Sequence, residues 1–276
     1  MKPGRLFVTG GASGLGRAIA LRFARAGFKV CIGDLHEQRG AQVERELGAD
    51  GLFLRCDVRK EEDLRRVAQT LEQRWGGVDV VVNNAGVAGA GAIEDLPLED
   101  WQWIIDINLL GVVRGCRVFT PLLKRQGAGH IVNVASMAGL MDVPLMSSYN
   151  ATKAAVVSLS ETLDNELADA GIGVSVVCPS FFRTNLHESM RTKDPGLAAA
   201  MNKLLDRSPI TAEDIAERIF RAVERKEFYV LPHADGRAAW RLKRLLPRGA
   251  YTAIIRKQLR KLQAAAMGSP APKENA

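Results

Sequence analysis

The sequence predicts an α/β fold: a single doubly wound parallel sheet with a basic helical extension at the C-terminus. Three observations carry this. Short β-branched runs alternate with helical stretches along most of the chain. Several runs, such as 78–82 and 131–134, are almost continuously apolar, which is how a strand buried on both faces reads. A glycine cluster marks the junction of the first run and the first helix. Strands are expected at residues 5–9, 29–34, 51–55, 79–83, 130–135, 173–178 and 227–231. Helices are expected near 14–26, 38–47, 61–75, 100–124, 148–170 and 212–225. Right-handed crossovers would place these helices on both faces of the sheet. Residues 181–210 lack a strand and carry Pro195, Gly196 and Pro209 among Phe, Leu and Met, which reads as an inserted helical flap.

Composition bounds the possibilities. The 276 residues are 47% hydrophobic and 25% charged, which suits one globular domain, residues 1–235, with an appendage at 236–276. That appendage ends in Gly-Ser-Pro-Ala-Pro and a short polar tail of disordered composition. No apolar run reaches the roughly 18 residues needed to span a bilayer. The apolar stretch 6–20 is interrupted by Gly10, Gly11, Gly14 and Gly16 and does not read as an export signal. Cys31, Cys56, Cys116 and Cys178 are scattered without metal spacing, so no metal is expected and a reduced, cytoplasmic setting is. The net charge of +7 is uneven: 237–261 hold nine Arg or Lys and no acid, while 1–236 hold 28 basic against 30 acidic residues. The basic character thus belongs to one segment, and no nucleic-acid module accompanies it.

The chemistry-bearing motifs lie at strand ends. After the first strand comes Thr9-Gly10-Gly11-Ala12-Ser13-Gly14-Leu15-Gly16. Glycines let the backbone turn sharply and approach a pyrophosphate, and the helix that follows offers free N–H groups and its positive dipole end. Asp34 ends the second strand, 18 residues after Gly16, where a carboxylate accepts hydrogen bonds from ribose hydroxyls and repels a 2′-phosphate. Leu35 and His36 follow it, so NAD is favoured over NADP. Asp57-Val58 closes the third strand and Asn83-Asn84-Ala85-Gly86 the fourth, both at the edge where ligands collect in such sheets. Tyr149 and Lys153 stand four residues apart on one helical face. A phenol has a pKa of roughly 10, and a neighbouring cation lowers it, so the pair reads as a proton-transfer site.

Taken together these motifs resemble the short-chain dehydrogenase/reductase family over roughly residues 4–231. The resemblance rests on Thr9-Gly10-x-x-x-Gly14-x-Gly16, Asn83-Asn84-Ala85-Gly86, Asn108 with Gly111, Ser136 placed 13 residues before Tyr149, Tyr149-x-x-x-Lys153, and Pro179 to Thr184. The family glycine after Pro179 is Ser180 here. The resemblance implies a Rossmann fold that binds a dinucleotide and catalyses hydride transfer. It implies Tyr149 as general acid/base, Ser136 on the substrate oxygen, Lys153 lowering the Tyr149 pKa and binding the nicotinamide ribose, and Asn108 fixing a relay water. Thr184 would hold the carboxamide. Gly10, Ser13, Gly14, Leu15, Gly16, Asp34, Asp57, Val58, Asn84, Ala85, Gly86 and Pro179 would complete the cofactor site. A homodimer or homotetramer follows from the same resemblance, with helices near 100–124 and 148–170 at the interface.

The segments expected around the substrate, 87–95, 137–147 and 181–208, are apolar and Met-rich. Met137, Met141 and Phe181 are expected to join Ser136 and Tyr149 in contacting it. Such walls suit a secondary alcohol or ketone on a bulky apolar skeleton. In the extension, Trp240, Leu242, Leu245 and Leu246 interleave with Arg237, Arg241, Lys243, Arg244 and Arg248, an arrangement compatible with peripheral membrane contact through 237–261. It is equally compatible with covering the substrate mouth or packing on a neighbouring subunit. The alternatives to an NAD-dependent dehydrogenase are an NADPH-dependent carbonyl reductase and a dinucleotide-binding protein without catalysis.

Overall fold

A computed structural model of the chain describes residues 3–183, 185–194, 196–197, 199, 205–206, 208–254 and 256. They fall into two compact units that meet between His233 and Ala234. The first unit holds seven strands: β1 (Arg5–Thr9), β2 (Lys29–Asp34), β3 (Gly51–Arg55), β4 (Val80–Asn83), β5 (Gly129–Val134), β6 (Ile172–Val177) and β7 (Tyr229–Val230). Their order is β3-β2-β1-β4-β5-β6-β7, and every neighbouring pair is parallel. This is the single doubly wound sheet that the apolar runs imply.

The helices that carry the crossovers are α1 (Gly14–Arg25), α2 (Glu37–Leu47), α3 (Glu61–Trp75), α4 (Leu98–Ile105), α5 (Gly111–Gln126), α6 (Ala138–Met141), α7 (Ser147–Leu167) and α8 (Ala212–Arg225). β1 shows why both faces must be covered. Leu6 and Val8 point one way, into a cluster with Ile19 and Phe23 of α1 and Ile219 and Phe220 of α8. Phe7 points the other way, its ring centre 5.1 Å from that of Phe119 on α5. Each such side chain contributes roughly 1.5–3 kcal/mol on burial. The four cysteines are buried and free, as expected of small core residues.

Two features differ from the sequence reading. The helix expected over 100–124 is interrupted by a π turn, Asp106–Leu110, in which the Gly111 N–H bonds back to the Asp106 carbonyl. The extra residue turns Asn108 fully inward, and Gly111 fits because a Cβ there would press 3.0 Å from Val58 Cγ2. The short helix α6 was not anticipated; it follows β5 and ends at Asp142 with φ +54°. Among its described residues the flap contributes a short 3-10 turn, Asn185–Ser189, helical residues at 196–197, 199 and 205–206, and a bridge of Arg191 to Gly89. Residues 184, 195, 198, 200–204 and 207 of that expected flap lie outside the described residues.

The second unit contains α9 (Ala234–Leu245), in which Arg244 stacks 4.9 Å from the Trp240 ring centre. Leu245 is 81% exposed on it. The remainder of the basic segment expected at 237–261 is described only as far as 254 and at 256. Among the described residues no helix is long and apolar enough to cross a membrane.

The strand order fixes where a ligand collects. After β3 the chain returns to the other side of β1 and runs out along β4, so the loops leaving β1 and β4 diverge. A crevice opens between them at the carboxyl edge of the sheet.

Candidate active site

The first side of the crevice is made of turns. Gly10 and Gly14 take φ +64° and +49°, values that side chains rarely adopt. Gly16 has no room for a side chain at all, since a Cβ would stand 2.0 Å from the Gly10 carbonyl oxygen. The turn therefore closes tightly onto the start of α1. Ser13, the residue before α1, makes no side-chain cap, and the first turn of α1 contains no acid. The orphan N–H groups and the positive dipole end remain for an anion to meet. A Cβ-free cradle at an uncapped helix start fits the pyrophosphate of a dinucleotide. Leu15, directly after this turn, is buried in the α1 cluster.

Asp34 stands where the sequence places it, at the end of β2. Its Oδ2 accepts the Ala12 N–H at 3.0 Å and its Oδ1 the His36 N–H at 3.0 Å. It thus pins the glycine turn to β2 besides presenting charge. Asp57 is gripped by Arg59, whose Nη2 lies 2.7 Å from Oδ2, and this guanidinium holds its carboxyl below the usual range. Val58 is buried, and its carbonyl accepts Arg114 Nη1 at 3.2 Å.

Asn84 has a job that the sequence reading did not assign. Its amide donates to the Thr9 carbonyl at 2.9 Å and the Gly10 carbonyl at 3.2 Å. The Thr9 hydroxyl in return accepts the N–H groups of Asn84 and Ala85, each at 3.0 Å. These four bonds fasten the loop after β1 to the loop after β4, across the switch point. Thr9 stands in the glycine motif, but only the strand order reveals that β4 is its partner.

The second side is made of buried side chains. Asn108 is fully buried: its Oδ1 accepts the Val87 N–H at 2.8 Å and its Nδ2 donates to the Val87 carbonyl at 2.9 Å. A Cβ on Gly86 would lie 3.2 Å from Asn108 Oδ1 and 3.5 Å from Lys153 Nζ, so Gly86, Asn108 and Lys153 meet. Lys153 is 4% exposed and donates to the Val134 carbonyl at 2.8 Å. Tyr149, one turn earlier on α7, is 8% exposed, with Lys153 Nζ at 5.7 Å from its ring centre. Ser136 follows β5; its hydroxyl hydrogen-bonds Tyr149, accepts the Ala138 N–H at 3.1 Å and donates to the Pro179 carbonyl at 3.4 Å. Four residues from two elements, the π turn and α7, and one loop are thereby gathered.

The electrostatics differ from the expectation of a phenol lowered by Lys153. Burial pushes Tyr149 up to about 12, with the Ser136 hydrogen bond opposing it. Burial pushes Lys153 down to about 8. In the protein alone burial is the largest influence on both groups, and the ammonium donates its hydrogen bond to Val134.

The substrate side is apolar. Tyr149 packs in a cluster with Ala90, Ile104, Ala138 and Met146, flanked by Val87, Trp103, Val143, Phe181 and Met190. Phe181 thus stands near Tyr149, and Met141 is partly buried at the end of α6. Met137 is buried, and its N–H donates to the Pro179 carbonyl at 2.8 Å. Thr184 lies outside the described residues. Sequence reasoning missed two buried groups nearby. Cys178 is close enough to Lys153 for each to influence the other's ionisation. His233 accepts the Ser180 N–H at 3.1 Å through Nδ1. The departure from glycine at Ser180 was the one visible signal, and it did not indicate His233.

Comparison with known proteins agrees with this geometry. The family model described as short chain dehydrogenase matches residues 5–195. A CLA biosynthesis dehydrogenase/reductase of Lactiplantibacillus plantarum is 34% identical over 270 residues, covering 89% of this chain and 94% of that protein. A 3beta-hydroxysteroid dehydrogenase of Mediterraneibacter gnavus is 37% identical over 187 residues, 66% of this chain and 67% of that protein. The crystal structure of a short chain dehydrogenase/reductase from Burkholderia phymatum in complex with NAD superposes with a TM-score of 0.83 at 30% identity, covering 100% of this chain and 99% of that one. The cradle between β1 and α1, the Asn108–Ser136–Tyr149–Lys153 assembly and these matches have one reading: the chain belongs to the short-chain dehydrogenase/reductase family, and it is an NAD(P)-dependent oxidoreductase.

Proposed function

We propose that this oxidoreductase interconverts a secondary alcohol and a ketone on a bulky apolar molecule, with NAD as the favoured cofactor. The observation that carries the reading is the seating of Tyr149: a buried phenol, hydrogen-bonded to Ser136, inside an apolar cluster. An apolar wall beside a proton-transfer group favours a substrate whose only polar handle is the reacting oxygen. The steroid dehydrogenase among the relatives supports the same class. Asp34 supports NAD, since its carboxylate repels a 2′-phosphate.

Held in the crevice, the nicotinamide supplies the hydride acceptor or donor. Ser136 holds the substrate oxygen beside the phenol. Tyr149 takes the proton from an alcohol, or returns it to a ketone oxygen. Burial makes the phenol hold its proton firmly, and a positive charge brought beside it lowers that hold. Lys153, one turn away, is such a charge whenever it is protonated. The Asn108 amide is spent on Val87, so a relay water would use its backbone carbonyl. Residues near 100–124 and 148–170 are proposed to form a homo-oligomeric interface. The basic segment 237–261 is proposed to make any peripheral membrane contact, in an otherwise cytoplasmic protein.

Turnover of the full chain with NAD and a panel of secondary alcohols tests the reading. The expected order is sterol-like and long-chain apolar alcohols above sugars and small polyols. A preference for polyols overturns the substrate class, and tighter binding of NADPH than NADH overturns the cofactor preference.

A further inference from the structure

Two ion pairs hold the segment that follows β6, and they draw it toward opposite walls of the crevice. Arg191 fastens it on the substrate side. Its Nη1 lies 2.7 Å from Asp100 Oδ1 on α4, and its guanidinium carbon 3.9 Å from the Trp103 ring centre. Its N–H donates to the Ala88 carbonyl and its own carbonyl accepts the Ala90 N–H, both at 3.1 Å. Three residues earlier, Glu188 reaches the other way. Its Oε2 lies 2.9 Å from Arg39 Nη1 on α2, and its Oε1 accepts the Asn185 amide, which orients the carboxylate.

The sheet order gives this second pair its meaning. Arg39 belongs to α2, which follows β2, whereas Glu188 follows β6. Strands β1, β4 and β5 lie between them. Four strand spacings amount to roughly 19 Å, more than an Arg and a Glu side chain span together. The 185–191 segment must therefore cross the carboxyl edge of the sheet, over the place where the loops of β1 and β4 part. Arg39 also lines a cavity of about 570 Å³ with Leu35, His36 and Arg55, next in sequence to Asp34.

We propose that Arg39 and Glu188 form a latch over the bound dinucleotide, and that breaking this pair while Arg191 stays fixed is the step that admits and releases the cofactor. The inference rests on the crevice being the dinucleotide site. The two ends of the strap are unequal in the way a latch requires. Arg191 has an ion pair, an aromatic face and two backbone bonds. Arg39 and Glu188 are 44% and 41% exposed where they meet, and ion pairs so open to water break and reform readily.

Stopped-flow release of NADH from the full chain, followed by nicotinamide fluorescence, tests this with Arg39→Glu, Glu188→Arg and the double exchange. Each single variant is expected to release NADH roughly three- to fivefold faster, and the double exchange to return close to the wild-type rate. Added salt is expected to speed release from the wild type and to leave the single variants nearly unchanged. If Arg39 acted only by direct contact with the cofactor, Glu188→Arg would slow release, and that result overturns the latch. Wild-type rates in both single variants, or a double exchange no better than either, overturn it as well. Failure of the wild type itself to bind NADH or NADPH would instead remove the dinucleotide reading on which the latch stands.

Discussion

The two sides of the crevice are built from different materials. From β1 to β3 the surface offered to a ligand is mostly backbone: positive-φ glycines, the uncapped start of α1, and a carboxylate that itself holds two N–H groups. From β4 to β6 it is polar side chains drawn out of water: Asn108, Tyr149 and Lys153 are buried and Ser136 is half-buried. Backbone binds by shape and dipole and has no ionisation to tune. Side chains removed from water have their ionisation set by burial, as the opposite displacements of Tyr149 and Lys153 show. One side is thus suited to holding, the other to reacting. A further contrast sharpens the point. The start of α8 is closed by its own sequence, with Thr211 and Asp214 exchanging hydrogen bonds in a capping box. The start of α1 has no such closure.

The contrast breaks most visibly at Tyr149. Tyr149→Phe removes the proposed proton carrier and leaves the ring in its cluster. Turnover is expected to fall by about 10²–10⁴ while NADH affinity stays within roughly twofold. Steady-state rates and a fluorescence titration on the same sample check this. A variant that keeps its rate would show that the reacting side does not act through this phenol.

The mirror experiment belongs on the holding side. Gly16→Ala introduces a Cβ 2.0 Å from the Gly10 carbonyl oxygen, a backbone atom that cannot move without opening the turn. The strain is expected to cost about 1–3 kcal/mol of stability. The expected loss of NADH affinity is about tenfold or more, with pH dependence of the remaining turnover unchanged. Isothermal titration and a pH–rate profile separate the two effects. A displaced profile would mean that holding and reacting are not separable.

Lys153 gives the contrast a pH axis. Its ammonium is pushed from 10.5 down to about 8 by burial, so below pH 8 the folded chain bears the full cost of keeping it charged out of water. Between about pH 8 and 10.5 the folded state has released this proton and the unfolded state has not. The unfolded state then binds more protons, and stability rises with pH through that window. Lys153→Met removes the charge but leaves the Val134 carbonyl unpaired. The variant is expected to gain up to about 2 kcal/mol on the wild type near pH 7 and to lose the advantage near pH 10. Thermal denaturation of both proteins across that range tests it, and a gap independent of pH would contradict it.

Much of this was legible in the sequence because it is written in short-range signals. The seven strands follow from β-branched runs, and the observed strands overlap the expected ones, shortening most at β7, Tyr229–Val230. The glycine turn and the Tyr149–Lys153 spacing are local patterns as well. What stayed hidden depends on distant residues. Asn84 reads as a cofactor contact until β4 is placed beside β1, when its amide is found on Thr9 and Gly10. Asn108 needed the π turn to point at Val87, and nothing in the residues 106–110 announces a π turn. The Arg39–Glu188 pair joins residues 149 positions apart, a distance no periodicity reports.

Asp34 offers the subtlest test, because it belongs to both materials at once. As a charge it should repel a 2′-phosphate; as an acceptor it holds the N–H groups of Ala12 and His36. Asp34→Ala loses both functions, so it should weaken NADH and NADPH together and leave the cause ambiguous. Asp34→Asn keeps one acceptor oxygen and removes the charge. If repulsion is the basis of the proposed NAD preference, both variants should move the NADPH-to-NADH affinity ratio toward NADPH by about tenfold or less, since water and salt screen a charge at this rim. If the carboxylate serves only to shape the glycine turn, Asn should leave that ratio where it is and Ala should lower both affinities alike. Parallel titrations of the two cofactors with the two variants decide between a charge that selects and a carboxylate that merely holds backbone.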